Sequence, residues 1–440
     1  MPDVSFHDLS ALGADERASL LKRAETDLSV FAEQVRPIIH AVKDEGDAAL
    51  LRFAKELDKA NIPDGNLKVS EAEFDAAFDK VEKDVIESIR FGIGNIRHFH
   101  EEQRPETMWL KEVRPGAYAG DRYTAIASVA LYVPRGKGAF PSVTMMTSVP
   151  AVIAGVPQIA IVTPPTADGS VDAATLVAAR LAGVDTVYKC GGAQAVAAVA
   201  YGTETVKPAV KIVGPGSPWV VAAKNLLSSV IDTGLPAGPS EAIIFADDSV
   251  DGGLAALDLL IEAEHGPDSS AYLVTHSRKV AEGALAALPG HWSRMTEQRV
   301  EFSRAVLTDK RGGIVLTASL EDSYRFINDY APEHLEILSR EPFAHLGHIT
   351  EAAEILMGPH TPVTLANFVL GPNAVLPTSR WARTYGPLSV TDFLKRSSVG
   401  YVTSAAYPEL AKHARRLARY EGFSSHENAV SEIRDGYLGA

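Results

Sequence analysis

The sequence predicts an α/β protein of two Rossmann-like, doubly wound domains, with a helical N-terminal region and a C-terminal tail arm. Three observations point there. Short apolar strands alternate with helix-like segments from about residue 120, a spacing that favours parallel βαβ units. The alternation starts afresh after Pro239. The first hundred residues and the last fifty lack it. Four regions follow: 1–110, 111–241, 242–388 and 389–440.

Residues 14–58 read as helix, because Leu20, Leu21, Leu28, Phe31, Val35, Ile38, Ile39 and Val42 recur at helical spacings, with Pro37 as a break or helix start. Ser70 and Glu73 form a capping-box pattern ahead of a second long helix reaching about Glu102. In the first α/β block the strands are 126–133, 158–163, 186–190 and 210–213, and helices cover 143–154, 172–182 and 191–200. Three of these strands run into Gly-containing turns: Gly136-Lys137-Gly138, Gly191-Gly192-Ala193-Gln194 and Gly214-Pro215-Gly216-Ser217. Each alone is a tight turn. Three on one sheet edge make a nucleotide site plausible, since ligands bind beyond the carboxyl ends of parallel strands and free helix N–H groups accept phosphate. The second block has strands at 242–246, 271–275 and 313–317 and helices at 252–264, 278–288 and 324–330. The tail reads as a short helix (390–395), a strand (399–402) and a helix (405–420).

Composition narrows the function. The 440 residues carry a formal charge of −14 and no Lys/Arg-rich block, which argues against nucleic-acid binding. Cys190 is the only cysteine, so no intrachain disulfide or cysteine metal cluster is expected. The N-terminus has no signal pattern, and no apolar run reaches the ~20 residues that a membrane helix needs. The expected location is cytoplasmic, away from membranes.

The chemistry gathers at Ala331-Pro332-Glu333-His334-Leu335. Glu333 and His334 are adjacent proton carriers behind a helix that Pro332 ends. An isolated Glu-His pair is more often a surface Glu beside a half-buried His, with no chemistry to do. Glu262 and His265 stand at i, i+3 near a helix end, on one face, an arrangement that suits two metal ligands but also arises by chance. Glu421 and His426 lie in the polar tail. No serine-hydrolase elbow, Walker loop or paired CxxC is present.

Ordered segments along nearly the whole chain resemble the histidinol dehydrogenase family. They include Leu131-Tyr132-Val133-Pro134, Gly191 to Val196, Pro236 to Glu241, Ala263 to Asp268, Ala331 to Leu335, Leu376-Pro377-Thr378 and Glu421 to Val430. The resemblance implies a zinc- and NAD-dependent enzyme that oxidises a primary alcohol to a carboxylate through a bound aldehyde. It puts the general base on His334 and water activation on Glu333. It puts the zinc ligands on Glu262, His265, Asn367 and His426, cofactor contacts on Tyr132, Gln194 and Ser217, and substrate contacts on Ser240 and Glu421. It implies a homodimer whose tail (389–440) reaches into the neighbouring subunit. Residues 111–241 would be the NAD side and 242–388 the zinc and catalytic side, with 1–110 packing on the second α/β domain.

Several positions depart from the family pattern. Glu262 stands where the family has Gln, and Asn367 where it has Asp, so a carboxylate and an amide exchange places. Zinc retained with its charge moved across the site is the expectation. Ala374 replaces a His near the pocket, Ser217 an Asn, and Arg135 a Gly, with Lys137 close by. Arg135 and Lys137 would favour an anionic substrate head or hold the cofactor pyrophosphate. A site built to hydrogen-bond one substrate discriminates steeply, so these changes point to a small polar alcohol other than histidinol. The alternatives are L-histidinol dehydrogenase proper, in histidine biosynthesis, a sulfopropanediol-type diol dehydrogenase, and a catalytically silent homologue that binds nucleotide or metal.

Overall fold

A computed structural model describes residues 4–23, 28–135, 138–309 and 311–438. Gly136 and Lys137 of the first Gly-containing turn lie outside the described residues. In chain order the elements are β1 (Phe6–Asp8), α1 (Ala14–Leu20), α2 (Ser29–Glu45), α3 (Asp47–Glu56), α4 (Glu71–Lys80), α5 (Lys83–Glu102), β2 (Met108–Arg114), β3 (Ala117–Ala125), β4 (Ser128–Tyr132), α6 (Pro141–Ile153), β5 (Gln158–Thr163), α7 (Ala173–Ala182), β6 (Val187–Lys189), α8 (Gly192–Tyr201), β7 (Ile212–Val213) and α9 (Pro218–Leu227). The chain continues through β8 (Glu241–Ala246), α10 (Gly252–Ala263), β9 (Ser270–Thr275), α11 (Arg278–Trp292), α12 (Glu297–Thr308), β10 (Gly312–Leu316), α13 (Leu320–Tyr330), β11 (His334–Leu338), α14 (Phe343–Leu346), β12 (Glu354–Met357), α15 (Val363–Phe368), β13 (Leu394–Val402), α16 (Tyr407–Tyr420), α17 (Ser424–Asn428) and α18 (Glu432–Leu438).

Two compact units result: Met1–Gln103 with Ile126–Phe393, and Arg104–Ala125 with Leu394–Ala440. The larger holds two parallel sheets, ordered β6-β5-β4-β7 and β1-β10-β9-β8-β11-β12. β4, β8, β9, β10 and β11 are buried at every position, as parallel strands covered on both faces must be. That coverage is why β4, β8, β9 and β10 are largely apolar, while β11 carries His334 and Glu336 into the same buried layer. Strand order reverses between β4 and β7 and again between β8 and β11, the points where α/β sheets open a crevice.

The N-terminal helices correct one expectation. α2 and α3 bury Val35, Ile39, Val42, Leu50 and Phe53 in one core with Tyr132, Val162, Tyr188 and Val196 of the first sheet and α8. α4 packs on α7 and α5 on α6. Residues 29–102 therefore cover the first sheet, not the second. The segment around β1 and α1 joins the second sheet, where Leu9 and Leu20 meet Phe245 and Tyr272, and Asn95 of α5 donates to Val369 O beyond α15 at 2.8 Å. The Ala-rich α8 offers little bulk, so the apolar stripe of α2 finds its fit there. Pro37 lies inside α2 and does not end it; packing of the buried stripe holds the helix across the missing N–H. The capping box forms as expected, with Ser70 N donating to Glu73 Oε2 at 2.9 Å, but the helix stops at Lys80 and restarts at Lys83.

The smaller unit corrects the boundaries. β2 and β3 join β13 in an antiparallel sheet ordered β13-β3-β2. The first α/β block thus opens at Ile126, not at 111, and this hairpin belongs with the tail, which begins at Leu394. Among the described residues no helix is long and apolar enough to cross a membrane.

Candidate active site

α13 ends at Ala331, which adopts a left-handed conformation (φ 52°) ahead of Pro332. A buried non-glycine residue there is strained, and the strain turns the chain sharply from helix into β11. Glu333 occupies the turn and His334 opens the strand. Both are buried, so the surface reading of the pair does not hold.

Each side chain is held by a neighbouring strand. The parallel register sets His334 beside Ala242 of β8 and Glu354 of β12. His334 Nδ1 lies 2.7 Å from Glu354 Oε2, and its Nε2 lies 3.8 Å from Glu333 Oε1. The other Glu333 oxygen accepts from Glu241 N at 2.8 Å. Glu241 Oε1 in turn accepts from Arg23 Nε and from Ser379 N, each at 2.8 Å, and the Arg23 guanidinium stacks 3.4 Å above the Tyr330 ring.

Charge is concentrated here. Burial pushes the Glu333 carboxyl well above its usual range; Glu262 and Glu241 add to the push, against His334. Burial works against the charged form of His334, but the carboxylates of Glu262, Glu333 and Glu354 outweigh it and raise the imidazole to about 10. A general base must first be free of its proton. A cation drawn onto Glu262 would offset one of these upward pulls and weaken the imidazole's hold on its proton.

Glu262 ends α10 buried, and two other expected ligands, His265 and Asn367, gather around it. Burial alone would raise its carboxyl; His265 and His334 overcome that and depress it to about 2. Asn367 Nδ2 of α15 donates to Glu262 Oε1 at 2.9 Å. The two residues exchanged relative to the family pattern are therefore direct hydrogen-bond partners. His265 Nδ1 lies 2.7 Å from Glu262 Oε2 and 3.0 Å from Ser240 Oγ. Among the described residues no three His, Cys, Asp or Glu side chains form a ready metal cage. The donors nonetheless fit a cation such as zinc. A carboxylate oxygen (Glu262 Oε2) and an imidazole nitrogen (His265 Nδ1) 2.7 Å apart, with the Asn367 amide beside them, are donor types that zinc takes, and the buried Glu262 carboxylate supplies negative charge for a cation to balance.

The expected cofactor residues share the carboxyl edge of the first sheet. Tyr132 ends β4, and its hydroxyl accepts from Gly192 N at 3.0 Å where α8 begins. Gln194 Nε2 donates to Asp58 Oδ2 at 3.4 Å, while its Oε1 is buried without a partner. Ser217 caps α9 and is exposed. Gly214 (φ 119°) has no room for a side chain, since a Cβ would fall 2.1 Å from Tyr132 O. Arg135 donates to Pro165 O at 3.1 Å.

Glu421, the C-cap of α16, and His426, on α17, belong to the smaller unit and are exposed. Asn373, just before Ala374, is fully buried: its Nδ2 donates to Met146 O and its Oδ1 accepts from Val375 N. Sequence reasoning missed Glu354, Glu241 and Arg23 as parts of the site. A carboxylate at the head of the apolar run Ile355-Leu356-Met357 was the available signal for Glu354.

Two parallel sheets thus bring a buried carboxylate–imidazole pair beside a set of cation-type donors. A family model for histidinol dehydrogenase matches residues 21–434. The chain is 92% identical over 438 residues to "Histidinol dehydrogenase homolog 2" of Mesorhizobium japonicum, covering 100% of both. It is 47% identical over 424 residues to the histidinol dehydrogenase of Synechocystis sp., covering 96% of this chain and 98% of that one. The crystal structure of histidinol dehydrogenase from Elizabethkingia anophelis superposes with a TM-score of 0.93 at 29% identity over 100% of both chains. The chain belongs to the histidinol dehydrogenase family, whose members are oxidoreductases that use NAD and zinc.

Proposed function

We propose that this protein is a zinc- and NAD-dependent dehydrogenase that oxidises a small polar primary alcohol, through a bound aldehyde, to a carboxylate. The observation that carries the reading is the buried Glu333–His334 pair beside Glu262, His265 and Asn367. His334 Nε2 takes the hydroxyl proton as hydride leaves the carbinol carbon. Glu333 then takes a proton from the water that attacks the aldehyde, and a second hydride departs. Zinc held by Glu262, His265, Asn367 and His426 of the partner subunit would polarise the substrate oxygen. Tyr132, Gln194 and Ser217 hold the nicotinamide cofactor, and Ser240 and the partner subunit's Glu421 orient the substrate. Each parallel sheet, with its reversal of strand order, is one Rossmann-like half, the first serving NAD and the second zinc and proton transfer.

The smaller unit exposes Met108, Trp109, Leu110 and Val113 of β2 and Leu417, Tyr420, Phe423 and Tyr437 of the tail, which supports its burial in a homodimer. The Glu262/Asn367 exchange, Ala374, Ser217 and Arg135 support a substrate other than histidinol. The 47% identity to a protein called histidinol dehydrogenase favours the second reading, L-histidinol itself.

Glu333→Gln tests the mechanism. Wild type should yield two NADH per alcohol consumed. The variant should stop after one, releasing aldehyde, because Gln accepts no proton from water. A variant that still delivers carboxylate and two NADH removes Glu333 from the role.

A further inference from the structure

Glu354 has no part in the chemistry above, yet its placement is built from the backbone upward. β12 runs parallel to β11, with Glu354 as the Cα partner of His334 and Glu354 N donating to Glu333 O at 3.1 Å. The shared register puts both side chains on one face of the sheet. The strand that follows is Ile355-Leu356-Met357, and Leu356, two residues on, is buried among apolar groups. An apolar residue would fill position 354 at far lower cost than a carboxylate, because a buried charge is expensive unless paired. Glu354 is 6% exposed, its Oε2 meets His334 Nδ1 at 2.7 Å, and its Oε1 is buried without a partner. Among the described groups, the other charges that act on His334 are Glu262 of α10, Glu333 of its own segment, Glu241 of β8 and His265 beyond α10.

We propose that Glu354 is a positioning residue: its carboxylate holds the Nδ1–H of His334, so that Nε2 carries the lone pair that receives the substrate proton. A neutral imidazole has one N–H, and which nitrogen bears it is set by the hydrogen bond the other end makes. Here the acceptor lies on the Nδ1 side and the Nε2 side faces Glu333. When Nε2 takes the hydroxyl proton, Nδ1 keeps its own, and the Glu354 carboxylate beside it stabilises the imidazolium. Neither family motif nor residue spacing assigns this role. It rests on the reading of His334 as general base.

Two measurements on the full-length, zinc-loaded protein keep the two readings distinguishable. The first is proton NMR in water, without substrate. An Nδ1–H donating to a carboxylate should give a resonance downfield of the amide envelope, present in wild type and lost in both Glu354→Gln and His334→Asn. Absence from wild type, or survival in Glu354→Gln, overturns the pairing whatever the enzyme does. The second is NADH formation from L-histidinol and a panel of small primary alcohols. For the best substrate, Glu354→Gln should lower kcat at least about tenfold with KM nearly unchanged, the scale seen when a carboxylate that orients a functional histidine is removed. Formate should restore part of the kcat of Glu354→Ala, which a purely structural role would not permit. Unchanged kcat in both variants, with His334→Asn inactive, overturns the positioning role and leaves the base assignment standing. If His334→Asn is as active as wild type, the base assignment and the positioning role built on it fall together.

Discussion

The exchange of carboxylate and amide between positions 262 and 367 makes a quantitative prediction. Asn367 Nδ2 donates to Glu262 Oε1 at 2.9 Å, and Glu262 is only 1% exposed, so solvent does little to screen what happens there. Asn367→Asp removes a hydrogen bond to a charged group, worth about 1.5–3 kcal/mol, and sets a second carboxylate against the first. The repulsion is limited, because one carboxyl can take up a proton instead of standing charged. Together the effects should destabilise the zinc-free protein by about 2–4 kcal/mol. Glu262→Gln alone loses the ion pair with His265 but keeps an acceptor for Asn367. The double variant restores a carboxylate–amide bond with the partners reversed. A double-mutant cycle, read from urea unfolding with chelator present, should therefore show the double variant more stable than Asn367→Asp by at least about 2 kcal/mol. Additive effects, or a double variant no better than Asn367→Asp, would refute the claim that the two residues act as one exchanged pair.

Two further outcomes follow from buried charge. Arg23 and Glu241 form a buried ion pair with side chains 7% and 4% exposed, so Arg23→Ala should cost about 3–5 kcal/mol in urea unfolding by stranding Glu241. A loss below about 1 kcal/mol, the range of exposed pairs, would contradict this. Glu336, two residues beyond His334 on β11, is pushed up to about 10 by burial and then by Asp258. The folded chain keeps that proton while the unfolded chain releases it in the usual carboxylate range, so the folded state binds more protons in between. Stability should accordingly fall as pH rises from about 5 toward about 10, by up to about 1.4 kcal/mol per unit from this group, and Glu336→Gln should flatten the decline. Identical slopes in the two chains would remove Glu336 as its source.

Much of the fold was legible in the sequence for a physical reason. Strands covered on both faces must be apolar throughout, and helices between them must carry a stripe, so β4, β5, β8 and β9 announced themselves. The β2–β3 hairpin did not. β2 is exposed at every position and so shows no alternation to read. At the site, Glu333–His334 and Glu262–His265 were visible because each pair is local in sequence. What holds them is not: Arg23 meets Glu241 across 218 residues, Asn367 meets Glu262 across 105, and Glu354 meets His334 only through the register of two parallel strands. A motif can name the groups that do chemistry, whereas the side chains that aim them depend on which strands lie side by side.

The central claim is oxidation of an alcohol to the level of a carboxylate at one buried proton-transfer site. It is tested most directly by giving the zinc-loaded protein NAD and a panel of small primary alcohols that includes L-histidinol, then measuring NADH formed per alcohol consumed and identifying the product. The account predicts two NADH and a carboxylate from at least one alcohol. A protein that reduces NAD with none of them, or that stops at one NADH and free aldehyde, contradicts it.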